Sequence, residues 1–176
     1  MKFIETKLKG AYLIEIDRNE DERGYFARSW DKNEFQKMGL NNNLIQCNIS
    51  FNKKKGTLRG LHYQEPPFVE SKLIRCTKGS IFDVIVDLRP NSTTKNNWFG
   101  VELTEKNYTM LYVPEGFAHG FQTLEDNSEI FYQMTKEYVP EYAKGKLWND
   151  PIFNIQWPIF PPILSNRDKQ WKKHTA

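Results

Sequence analysis

The sequence predicts an all-β fold, a sandwich or barrel of the jelly-roll type with a few short peripheral helices. Three observations carry this reading. Most of the apolar pattern has a period of two. Glycine and proline cut it into many short runs, the usual punctuation of strands. Helix start and stop signals occur together at only one place. Many short strands of this kind close into sandwiches or barrels, and such a barrel can enclose a ligand cavity. At 176 residues, the chain is expected to be a single domain spanning 1–176, long enough to bury a core.

In chain order, MKFIETKLKGAYLIEI mixes apolar and polar residues closely. It lacks the apolar run of a signal peptide or a spanning helix, so no membrane partner is expected. In SWDKNEFQKMGL, Asp31 can cap a helix, Glu34 falls at the capping-box spacing, and Gly39 supplies a left-handed stop. IFDVIVDL alternates Phe82, Val84, Val86 and Leu88 with Ile81, Asp83, Ile85 and Asp87. Both faces carry apolar residues, which predicts a central strand. WFGVEL and TMLYVP read as two strands joined by a polar turn around Thr104 to Asn107. EIFYQMTKEYV gives another strand, with Ile130, Tyr132 and Met134 on one face. A second short helix is expected near Asp168 to Lys173.

Aromatics at 14% argue for a packed protein rather than a disordered one. A net charge of +3, with both signs interspersed, is too mild to imply nucleic acid. It favours an anionic small ligand instead. Cys47 and Cys76 lie far apart without CxxC spacing and read as reduced thiols. Together these features predict a soluble, cytoplasmic protein.

The chemistry concentrates in TLRGLHYQEPP, Thr57 to Pro67, and in YVPEGFAHGF around His119. His174, the third histidine, lies next to the terminus and is expected to be solvated. The spacing P-x-G-x-x-H, ending at His119, resembles the second motif of cupins, which are jelly rolls. Cupin metal sites draw two histidines and a carboxylate from their first motif. Here that motif offers only His62, and Gln64 stands where a second histidine would be. Glutamine is a poor ligand for soft or borderline metals, so no metal is expected, even with Glu65 or Glu70 as a third group. Proton abstraction suits His62 better, because histidine is matched to base catalysis near neutral pH. A carboxylate on its other nitrogen would fix the tautomer, and Asp83, Asp87 and Asp168 are all candidates. Arg59 and Lys72 inside a barrel require an anion, either a protein carboxylate or a ligand phosphate. For Arg75 and Arg89 an internal salt bridge is expected. In DERGYF, Arg23 can grip a phosphate with both arms while a following aromatic stacks on a base. Tyr132 and Tyr138 are ordinary strand aromatics or, for Tyr132, a proton donor with an unperturbed pKa of about 10.

The runs DERGYF, LRGLHYQ, KLIRC, GSIFDVIVDLR, YVPEGFAHGF, WNDP and SNRD occur in this order along almost the whole chain. In this combination the chain resembles the dTDP-4-dehydrorhamnose 3,5-epimerases, cupin-fold nucleotide-sugar epimerases of deoxysugar synthesis. LRGLHYQ with PEGFAHGF is the specific part of the match. The resemblance implies His62 as the catalytic base, Asp168 as its carboxylate partner and Tyr132 as the acid on the opposite face of the sugar. It implies Lys72 near the C4 oxygen, with Arg59 and His119 around the diphosphate and sugar. Gln46, Asn48 and Tyr138 are implied as further ligand contacts. Arg23 and Phe26 match nucleotide-side positions that reach a neighbouring subunit's site in a homodimer. No metal or redox cofactor is implied. Three positions depart from the family pattern. Arg28 stands where a glutamate is common, adding a cation on the nucleotide side. Glu70 and Ser71 precede Lys72 where Gln and Gly are common. A single-site epimerase or keto-isomerase, a non-catalytic sugar-nucleotide-binding cupin and a metal-dependent cupin oxygenase are the competing readings.

Overall fold

The computed structural model describes residues 1–174. Thirteen strands and two helices run in the order β1 (Lys2–Glu5), β2 (Tyr12–Glu15), β3 (Arg18–Asp21), β4 (Gly24–Ala27), α1 (Lys32–Lys37), β5 (Gln46–Asn52), β6 (Leu58–Gln64), β7 (Lys72–Lys78), β8 (Ser80–Asp87), β9 (Trp98–Thr104), β10 (Thr109–Val113), β11 (Phe117–Thr123), β12 (Ser128–Met134), β13 (Ala143–Gly145) and α2 (Asn166–Lys169). A six-stranded sheet, β1-β2-β10-β7-β12-β5, faces a five-stranded one, β13-β6-β11-β8-β9, and β3-β4 form a separate hairpin. All the strand pairs are antiparallel, and from β5 to β8 successive strands alternate between the two main sheets. This is the jelly roll expected from the sequence.

Period-two patterning explains the layers. Ile74, Leu111, Val113 and Ile130 of one sheet meet Ile81, Ile85, Leu103, Phe117 and Phe121 of the other in the central core. β8 lies inside its sheet, between β11 and β9. Its second face, Val84 and Val86, packs under Phe153 and Ile155 of the C-terminal segment, which is why both faces are apolar. The outer face of the six-stranded sheet is covered partly by α1. Asp31 caps that helix by accepting from the Asn33 and Glu34 amides, and Phe35 is buried against Phe3 and Tyr112. Gly39 follows at φ +69, the left-handed stop.

The expected polar turn joins β9 and β10, which lie in opposite sheets, so it forms a sandwich corner. Three expectations require correction. The second short helix is Asn166–Lys169, capped by the Ser165 hydroxyl on the Asp168 amide, rather than Asp168 to Lys173. Arg89 does pair with Asp87, at 2.7 Å. Arg75 instead lies over the Phe131 ring at 5.6 Å, and no carboxylate among the described residues pairs with it. His174 is not simply solvated: its ring packs on Phe153, both its ring nitrogens are buried, and its backbone N–H donates to Asp150.

Candidate active site

The two sheets part at the β5/β13 end and leave a cavity with two adjoining lobes. One, of about 450 Å³, is bounded by Gln46, Asn48, Gln64, Glu70, Tyr138 and Arg167, among others. The second, of about 230 Å³, runs toward Ser50, Arg59, His119 and Phe121. His62, Lys72 and Tyr132 line both lobes. His62 comes from β6 of the five-stranded sheet, whereas Lys72 and Tyr132 come from β7 and β12 of the six-stranded sheet. The histidine and the tyrosine therefore enter the cavity from opposite walls.

Backbone geometry on β6 gathers Arg59 and His62. Strict alternation would put Arg59 and His62 on opposite faces. Against β11, however, His62 pairs with His119 while Arg59 pairs with Phe121, so three steps on β6 match two on β11. That bulge turns both side chains into the cavity. It sits at Gly60, with φ +137, where an added Cβ would lie 2.5 Å from the Gly120 Cα. Only glycine on both strands permits this approach.

Of the three candidate carboxylates, Asp168 stands behind His62. His62 Nε2 lies 2.6 Å from Asp168 Oδ1, across 106 residues of sequence. The same carboxylate accepts from the Ser165 hydroxyl at 3.0 Å and the Trp171 indole at 3.2 Å. Burial alone would raise the Asp168 pKa. The hydrogen bond and charge of His62, with the Ser165 and Trp171 donors, outweigh it and hold the group below its ordinary value. Asp83 serves the other histidine: His119 Nε2 is 3.0 Å from each of its oxygens. Complete burial pushes Asp83 up, opposed by His119. Asp87 is occupied by Arg89, Ser92 and Thr94.

On the opposite wall, Lys72 is buried and pairs with Glu70 at 3.1 Å. Gln64 Nε2 approaches Glu70 Oε2 at 2.6 Å, and Gln64 Oε1 accepts from the Val139 amide at 2.7 Å. The residue in the place of a second metal-binding histidine is thus a buried structural glutamine. Glu65 faces Lys144 at 3.8 Å. Among the described residues no three His, Cys, Asp or Glu side chains converge as metal ligands. Burial raises the Tyr132 pKa, reinforced by Glu70 and Tyr138 and opposed by Arg59. Asn48 donates to the Met134 sulfur at 3.4 Å, and Gln46 accepts from the Tyr138 amide at 2.9 Å. Arg59 Nε donates to the side-chain oxygen Oδ1 of Asn52 at 2.7 Å.

Three of the residues singled out from the sequence lie elsewhere. Arg23 is exposed and bonded to Asp21, Phe26 is 71% exposed, and Arg28 pairs with Asp31 at 3.3 Å. All three project from the β3-β4 hairpin or just beyond it, outside the cavity. Conversely, the cavity contains Arg167 and Lys144, which the sequence reading passed over. Arg167 donates to the Tyr138 hydroxyl at 3.3 Å. Its signal was present in SNRD, where attention went to the aspartate beside it. Lys144 carries no local motif.

A jelly roll with a histidine–aspartate pair on one wall, a tyrosine and a lysine on the other, and an excess of cations around them belongs with the isomerases of the cupin class. The sequence model described as dTDP-4-dehydrorhamnose 3,5-epimerase matches residues 5–175. The enzyme of that name from Methanothermobacter thermautotrophicus is 45% identical over 175 residues, covering 97% of this chain and 93% of the relative. A crystal structure of the Bacillus anthracis protein with TDP and PPi bound superposes with a TM-score of 0.95 at 40% identity, covering 98% of this chain and 99% of that one. The Legionella pneumophila structure in complex with dTDP-4-keto-L-rhamnose gives a TM-score of 0.92 at 35% identity, with 98% and 92% covered. The chain belongs to the dTDP-4-dehydrorhamnose 3,5-epimerase family. No helix among the described residues is long and apolar enough to cross a membrane.

Proposed function

We propose that the chain acts as a single catalytic domain converting dTDP-4-dehydro-6-deoxy-D-glucose to dTDP-4-dehydro-L-rhamnose by inverting C3 and C5. One observation carries the mechanism: His62 and Tyr132 enter one cavity from opposite sheets. The 4-keto group acidifies the C–H bonds on both flanking carbons. His62 donates Nε2–H to Asp168, which leaves Nδ1 to take a proton. Asp168, held anionic, stabilises the imidazolium that forms. The resulting enolate oxygen is met by Lys72, whose ammonium is kept in place by Glu70. Tyr132 then delivers a proton to the other face of the carbon, which inverts it. Its raised pKa keeps it protonated for this task.

Around that centre, Arg59, His119, Lys144 and Arg167 supply positive charge or N–H donors for the diphosphate and sugar. Gln46, Asn48 and Tyr138 receive the nucleotide. Arg23, Phe26 and Arg28 complete the nucleotide side in a homodimer, each hairpin reaching the partner's cavity. The hairpin's exposure supports this, as does the free edge strand β5 with Ile49 at 66% and Phe51 at 46% exposure beside Gln46 and Asn48. Two unpaired cysteines fit a reducing, cytoplasmic setting.

The test is dTDP-4-keto-6-deoxyglucose in deuterated water, followed by NMR. Deuterium at both C3 and C5 is expected. Label at one carbon alone would make the protein a single-site epimerase, and no label at either would refute the reading.

A further inference from the structure

Trp171 lies beyond α2 and belongs to no motif, yet it touches the catalytic pair. Its indole Nε1 donates at 3.2 Å to Asp168 Oδ1, the same oxygen that lies 2.6 Å from His62. The ring stands edge-on to the His62 imidazole, with centroids 6.1 Å apart at 69°. Arg167 lies over the same ring at 5.2 Å. Beneath it runs β13, whose Gly145 pairs in register with His62. Any Cβ at Gly145 would collide with the indole, so the missing side chain makes the seat for the ring.

We propose that Trp171 is a positioning residue for the epimerase reaction, seated on Gly145, holding the Asp168 carboxylate in line with His62 and sharing the oxygen that His62 uses. The proposal rests on the reading of His62 as the base. Two effects follow from it. Three donors, from Ser165, Trp171 and His62, leave the carboxylate one orientation in which all are satisfied. Sharing the oxygen with the indole also moderates its pull on the imidazolium, which keeps the base ready to release its proton for the next turnover.

Trp171→Phe keeps the ring and removes the N–H. The expected result is a fall in kcat of about three- to tenfold near neutral pH with KM little changed. The acid limb of the pH–rate profile should move to higher pH by roughly half a unit, because His62 gains sole use of the oxygen. The other charged or titratable groups facing His62 are Arg59 and His119 from its own sheet, Lys72 and Glu70 from the opposite sheet, and Lys144 and Arg167 at the rim. Of these only Arg167 touches the substituted ring, and phenylalanine keeps an aromatic face beneath it, so the shift follows the lost N–H.

Gly145→Ala is the independent perturbation. It should lower kcat by displacing the ring without changing His62, Asp168 or Trp171. NMR titration of the His62 imidazole in the substrate-free protein reads the same shift without turnover. An unmoved His62 titration in Trp171→Phe overturns the proposal even if kcat falls, since a merely structural tryptophan would give that result. Full activity in Gly145→Ala overturns the seat. Absence of deuterium uptake by the wild-type protein would instead refute the epimerase reading, and the imidazole titration would still decide the role of Trp171.

Discussion

Replacing Asp168 by asparagine removes one charge and leaves the side chain's shape. The magnitude follows from the geometry. With Nε2 and Oδ1 at 2.6 Å, the charge centres of an imidazolium and the carboxylate lie about 4 Å apart. At an effective dielectric constant of roughly 20 to 40 their attraction is about 2–4 kcal/mol. The His62 side chain is 40% exposed, so solvent screening favours the lower end, about 2 kcal/mol. That alone slows proton abstraction about thirtyfold. Asparagine can also turn its amide N–H toward Nε2, which moves the imidazole proton onto Nδ1 and blocks the base. Together these effects predict a fall in kcat of about 10²- to 10³-fold with little change in KM. The assay is the initial rate of deuterium wash-in at C3 and C5 by NMR, with a thermal melt to show that the fold survives. A kcat within about threefold of wild type would mean that Asp168 is a structural partner and that another group stabilises protonated His62.

Tyr132→Phe should reduce product formation by about 10²-fold while wash-in stays within about tenfold of wild type. Equal loss of both would remove Tyr132 from the role of distal acid. Asp87 governs acid stability. Burial alone would raise its pKa, but Arg89, Ser92 and Thr94 bring it to about 2. The folded value lies below the unfolded one, so its contribution of about 2 kcal/mol is present above about pH 4 and is lost as the pH falls through 2. Urea denaturation between neutral and acid pH should show that limb, and Asp87→Asn should flatten it; an unchanged limb would contradict the assignment. Ile49→Asp should shift the proposed dimer toward monomer in light scattering and raise the KM for the nucleotide sugar; a monomeric wild-type protein would dismiss the shared-site arrangement.

Some of the architecture could be read directly from the chain. β8 was legible because two layers cover it, and both layers write apolar residues into its alternation. α1 was legible because its cap is local: Asp31 and the amides it accepts from lie within three residues. α2 announces itself in the same way, through Ser165 and Asp168, but a start placed at the aspartate falls two residues late. The corner between β9 and β10 was not legible, since a polar turn looks alike whether its strands pair or part. The same limit divides the site. His62 and His119 stand out within their runs, whereas the partner of each is fixed only by the fold, Asp168 at the far end of the chain and Asp83 on a neighbouring strand. Arg59 shares a face with His62 through a bulge that period-two reasoning forbids. The expected pairing of Arg75 fails for a related reason: its neighbour across the ladder is Phe131, and an aromatic ring takes the place of a carboxylate.

In the proposed mechanism, the division of proton donor and acceptor between two sheets makes stereochemistry a property of the whole sandwich. Each wall is stiffened by its own ladder, and the two are tied together mainly by corners and by the apolar layer of Ile85, Leu103, Leu111 and Ile130. The sugar is gripped as by a calliper whose opening is set by side chains that never touch it. Trimming that layer, as in Ile130→Val, would let the jaws shift while His62 and Tyr132 stay intact. A proton returned to its original face only regenerates the substrate, so product formation would fall while deuterium wash-in persisted. In the proposed mechanism the efficiency of inversion therefore rests on the hydrocarbon filling as well as on the acid and base.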